Sequence, residues 1–95
     1  MILIVAKSII KKECIEEYKN LVKELIEKSR KEEGNISYDL HQDINNPQAF
    51  VFVEYWKDIE SIEAHNNSEH FKRIIPEINK IRESAEAVRY EKLDY

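Results

Sequence analysis

Very little in this chain bends or cross-links it. Its 95 residues include a single glycine, a single cysteine and two prolines. A lone cysteine, Cys14, cannot form an internal disulfide, and it points to a reducing, cytoplasmic setting. There is no excess of basic residues: 15 Lys and Arg face 19 Asp and Glu, for a net charge of −4. Nucleic-acid binding, which runs on basic patches, is therefore not expected. No apolar run approaches the ~20 residues of a membrane-spanning helix. The longest, Met1–Ile10, lacks a basic leader and a small-residue cleavage site, so it is expected to be a strand and not a signal peptide. Linkers, internal repeats and low-complexity segments are also missing, which leaves one domain over residues 1–95.

What remains is strongly patterned. Hydrophobic residues make up 42% of the chain and charged residues 36%, the balance of a globular domain. Ile2–Ile10 is β-branched and apolar on both sides, which suits a strand covered twice. From Lys11 to Arg30 the period changes. Ile15, Tyr18, Leu21, Val22, Leu25, Ile26 and Ser29 recur at three- and four-residue spacing, predicting an amphipathic helix. Gly34 is expected to end it as a left-handed cap.

Asn35–Asp43 alternates, with Ile36, Tyr38, Leu40 and Gln42 assigned to one face. A turn at Asn45-Asn46-Pro47 then leads into a returning strand over Gln48–Trp56. That strand places Phe50, Phe52, Glu54 and Trp56 on one side and Val51, Val53 and Tyr55 on the other. Two N-caps follow, Asp58 and then Asn67 or Ser68, predicting a short helix through Ile62 and His65 and a second through Phe71 towards Arg82. Ala85–Tyr95 reads as a last strand. The order β-α-β-β-α-β is that of an α+β ferredoxin-like fold with helices on one sheet face. Because the strands are apolar on both faces, the other sheet face is expected to pack against a second copy, as a homodimer.

The chemistry concentrates between Glu54 and Phe71, which holds the one tryptophan, two of three histidines and a phenylalanine. Aromatic walls and a group titrating near neutrality are what a small-molecule pocket needs. His65 follows Ile62 by three residues and should lean inward, making it the candidate general base. Tyr38, Phe50, Glu54, Trp56, His70 and Phe71 are the candidate substrate-binding residues. Glu54 shares a face with three aromatics, so a buried carboxyl with a raised pKa is expected there. His65 and His70 with Glu69 do not suit a metal, since the five-residue histidine spacing crosses a helix break.

Glu33-Gly34-Asn35, Tyr38, His41-Gln42-Asp43, Phe50, Glu54, Trp56, Ala64-His65, Ser68 and His70-Phe71, in that order, resemble the antibiotic biosynthesis monooxygenase family. The resemblance implies a dimeric α/β barrel with a pocket in each subunit. It also implies oxygenation of a small quinol-like or polyphenolic aromatic by dioxygen, with no metal or flavin cofactor. The residues of the family's haem-degrading branch do not match: the corresponding positions hold Ala6 or Lys7, His65 and Ile75. Of the anthrone-oxidising set, Trp56 is kept, but Phe52 and Ile62 replace its Asn and Tyr. Two alternatives share the scaffold. One is isomerisation of a small phosphorylated sugar, with Lys57, Lys72 or Arg73 as the required cation. The other is a non-catalytic dimeric module that binds a small ligand.

Overall fold

A computed structural model describes residues 1–95. The chain runs β1 (Ile2–Ile10), a 3-10 turn (Lys12–Cys14), α1 (Ile15–Arg30), β2 (Asn35–Asp43), β3 (Asn46–Trp56), α2 (Ile59–Asn66), α3 (Glu69–Ile81) and β4 (Arg82–Glu91). The strands form one antiparallel sheet in the order β2-β3-β1-β4, with the early β1 in the middle and the late β4 at an edge. This is the expected ferredoxin-like topology.

Each helix is anchored by the residues that pattern it. Tyr18, Val22, Leu25 and Ser29 are the buried residues of α1, and Ile74, Ile78 and Ile81 those of α3. Both sets keep the spacing that holds side chains on one helical face. Asp58 accepts the Ser61 amide at 2.8 Å and Ser68 accepts the Phe71 amide, so both predicted N-caps are in place. Pro76 sits inside α3 on its exposed side, so the helix forgoes the backbone hydrogen bond to the Lys72 carbonyl without giving up a core side chain.

Four details depart from the sequence reading. The first residues after β1 make a 3-10 turn, so the α-helix begins at Ile15 instead of Lys11. Gly34 is not left-handed. Its lack of a side chain serves close approach instead, because a Cβ would sit 1.9 Å from Ser61 Oγ on α2. A bulge between Asn35 and Ser37 leaves Ile36 unpaired, and it is 56% exposed instead of sharing the buried face with Tyr38. Finally, β4 starts at Arg82, directly from the end of α3, and stops at Glu91 short of the predicted Tyr95. The Ile81 carbonyl accepts the Lys11 amide at 2.9 Å, which ties the end of α3 to the end of β1 and leaves no room for a loop.

Register places the inner-face residues in rows across the sheet. Tyr38, Glu54, Ile4 and Arg89 form one row, and Leu40, Phe52, Ala6 and Ala87 form the next. Phe50, Phe52, Glu54 and Trp56 are all buried, while Val51, Val53 and Tyr55 are half-buried on the outer face, as alternation predicts. No helix covers that outer face. Leu3, Ile36, Tyr55 and Tyr90 gather on it as an apolar surface.

Candidate active site

Between the helices and the inner sheet face lies a cavity of about 290 Å³, with eleven of its seventeen lining residues hydrophobic. Its floor is Ile4, Ala6 and Ala87, and its roof is Phe71, Ile75 and Ile78 from α3. The volume is at the small end for ligand pockets, enough for a one- or two-ring molecule. The alanines on the adjacent strands β1 and β4 pair with one another and keep the floor low.

Four of the predicted residues line this space: Tyr38, Glu54, His65 and Phe71. Three do not. Phe50 packs against Tyr18 with ring centroids 4.8 Å apart, further along the core. Trp56, fully buried, stacks on His65 at 4.6 Å and donates its indole N–H to Glu54 Oε1 at 3.0 Å. It supports the wall from behind. His70 is not among the lining residues, and its ring centroid is 6.2 Å from that of His65. The predicted cations are elsewhere too. Lys57 and Lys72 are exposed, and Arg73 is held by Glu24 and Glu69.

The residue that sequence reasoning passed over is Glu32. Its Oε2 meets His65 Nδ1 at 2.7 Å and His70 Nε2 at 2.8 Å. The three side chains come from the α1–β2 connection, from α2 and from α3. Glu32 is brought to α2 by the close approach of Gly34 to Ser61. Its only signal in the sequence is a place beside the Glu33-Gly34-Asn35 motif, within a helix-end run of mixed charge. His65 is only 2% exposed. A carboxylate oxygen only accepts, so Nδ1 of the neutral imidazole donates to it. That leaves Nε2 on the far side of the ring, without a protein partner, where His65 lines the cavity.

Burial shifts the titration of these groups in opposite senses. The low-polarity surroundings push the Glu54 carboxyl up to about 7, against the Trp56 hydrogen bond that pulls it down. Burial also lowers the His65 pKa, and the hydrogen bond to Glu32 opposes this. Tyr38 is raised well above the usual phenol range by burial and by the nearby Glu54 charge. At neutral pH the cavity therefore holds a neutral imidazole, a carboxyl near half-ionisation and a phenol that keeps its proton.

Glu32, His65 and His70 are also the group that could hold a metal ion, with ligand atoms within 4.8 Å of one another. The contacts of 2.7 and 2.8 Å are hydrogen-bond distances. Tetrahedral zinc with bonds near 2.0–2.1 Å would separate its ligand atoms to about 3.3 Å. The three side chains are joined to one another by hydrogen bonds, and Glu69, the acid weighed from sequence, is not among them.

An antiparallel sheet with all its helices on one face, and an acid–base cluster at a largely apolar cavity between them, defines a ferredoxin-like α+β pocket protein. The family model described as antibiotic biosynthesis monooxygenase matches residues 1–77, and the chain belongs to that family. A Bacillus subtilis (strain 168) protein named "Putative monooxygenase YcnE" is 36% identical over 79% of this chain and 79% of its own length. The crystal structure of an antibiotic biosynthesis monooxygenase superposes with a TM-score of 0.95 at 35% identity, covering 99% of this chain and 100% of that one. A conserved protein from Methanosarcina mazei Go1 gives 0.94 at 40% identity, over 97% and 92% of the two chains.

Proposed function

We propose that this protein is a monooxygenase of small quinol-like aromatics that needs no cofactor, because the substrate itself supplies the electrons. The observation that carries this reading is the His65 ring, bonded through Nδ1 to Glu32 at 2.7 Å and set in the wall of a largely apolar cavity. A hydroquinone becomes a strong electron donor once a phenolic proton is removed. His65 Nε2 takes that proton, and the imidazolium formed is stabilised by the Glu32 carboxylate on its opposite side. The phenolate gives an electron to dioxygen, and the two radicals combine at ring carbon. The imidazolium returns its proton to the peroxide anion, and loss of water from the hydroperoxide leaves one oxygen atom on the ring and the other in water. The hydroquinone is oxidised to a hydroxyquinone, so substrate and dioxygen balance product and water. Phe71, Ile4 and Ile62 keep bulk water from the intermediates. Glu54, near half-ionisation, can donate to or accept from a second ring oxygen.

The test is oxygen uptake with a panel of hydroquinones. His65→Ala should lower kcat by about a hundredfold or more, the usual scale of a general base. Undiminished turnover in His65→Ala would remove the base assignment.

The exposed apolar sheet face supports a homodimer packed sheet to sheet. Val53 is in its centre, paired with Val5 and with Asp39. Val53→Asp should convert the protein from dimer to monomer in sedimentation velocity. A parent protein that sediments as a monomer at micromolar concentration would sink the dimer.

A further inference from the structure

The cavity has a second chemical end that the proton-transfer cluster does not use. Across the row that holds Glu54, Ile4 is the next residue and Arg89 the one after, on edge strand β4. Strand spacing puts the Glu54 and Arg89 α-carbons about 10 Å apart, with the low alanine floor of the neighbouring row beside them.

The chain has four arginines, and three are occupied. Arg30 bonds Asp39 and the Tyr38 carbonyl, Arg73 bonds Glu24 and Glu69, and Arg82 bonds Ser8 and Asn79. Arg89 lines the cavity and has no hydrogen-bond or ion-pair partner in the protein. In a chain of net charge −4, the cavity lining carries two guanidiniums against one carboxyl, Glu54. Acidic side chains are plentiful elsewhere, so an unpaired arginine at this mouth is available to a ligand. Its planar fork matches a carboxylate in two parallel hydrogen bonds.

We infer that Arg89 is the anchor for a carboxylate on the substrate, so that the pocket takes a phenolic or hydroquinone carboxylic acid with its hydroxyl end against His65 and Glu54. This rests on the oxygenase reading for what happens at the hydroxyl end, but recognition of the acid does not depend on turnover.

The experiment measures binding without oxygen. Dissociation constants of 2,5-dihydroxybenzoate and of its methyl ester are measured anaerobically by calorimetry, for the parent protein, Arg89→Gln and Arg89→Lys. The parent should bind the acid about ten- to a hundredfold tighter than the ester, the scale of hydrogen bonds to a charged group. Arg89→Gln should abolish that preference while leaving the ester's affinity unchanged, and Arg89→Lys should restore part of it. The preference should also shrink as salt is added, since Arg89 is exposed. Equal binding of acid and ester by the parent, a preference that survives Arg89→Gln, or binding of neither compound would overturn the assignment. Acid-selective binding without aerobic turnover would instead overturn the oxygenase reading and leave Arg89 in place. Turnover of neutral quinols with no acid preference would do the reverse.

Discussion

Two charge clusters share helix α3, and they behave as different materials. On the surface, Glu24 of α1 receives Arg73 and Lys28, while Glu69 also pairs with Arg73. Hydrogen bonds from Arg73 and Lys28 hold Glu24 down at about 2, yet all of these groups are open to water. In the interior, Glu32 receives His65 and His70, with exposures of 16%, 3% and 12% for the three side chains. The same motif, one carboxylate with two nitrogen partners, is screened in one place and shielded in the other. Solvent competes for every bond of the first and for few of the second. Only the shielded cluster can hold one imidazole tautomer against a cavity.

The largest expected effect belongs to the most buried acid. Glu54 keeps its proton in the folded state up to about 7, while an ordinary glutamate releases it near 4.5. The folded protein therefore holds the extra proton between those values, and stability falls as pH rises through that window. Glu54→Gln cannot ionise. At pH 8 it should be more stable than the parent by up to about 3 kcal/mol, a difference that vanishes near pH 4.5. Chemical denaturation at both pH values measures it, and parallel stabilities would contradict the buried, raised carboxyl. His65 contributes the opposite slope, since its lowered pKa costs stability as pH falls below 6.5, but that contribution is common to both proteins.

Glu32→Gln should come next. Removing the charge takes away what supports the His65 pKa, so the acid limb of the kcat/KM profile should move to lower pH. The rate at the plateau should fall about ten- to a hundredfold, because the imidazolium loses its counter-charge and the ring its fixed tautomer. An unmoved acid limb would break the link between Glu32 and His65. The smallest effect is expected for Arg73→Ala. Its thermal midpoint should shift least of the three variants, and the shift should disappear in concentrated salt. A shift as large as that of Glu32→Gln would erase the contrast between the two clusters.

The comparison also explains what could be read in advance. Asp58 and Ser68 were legible as helix starts because a cap is a local bond, made within three residues. The inward tilt of His65 followed from its spacing to Ile62, and the burial of Glu54 from strand alternation with its aromatic neighbours. Glu32 was not legible, because its partners lie 33 and 38 residues away and nothing in a run of Lys and Glu distinguishes it. Gly34 was singled out for the wrong reason. A glycine after a helix usually takes the left-handed conformation, whereas here an atom of Ser61 occupies the space a side chain would need. Phe50 and Trp56 were placed on the right face, but a face does not say which residues reach a cavity and which stand behind it.

The sequence by itself determined the helices, the strands, their order and their two apolar faces, since these depend on periodicity and local bonds between near neighbours. Only the tertiary structure decided that Glu32 holds His65, that Arg89 shares a row with Glu54, and that paired alanines leave room between the layers. Those facts come from strand register and helix packing, which join residues far apart in the chain through geometry that no local pattern encodes.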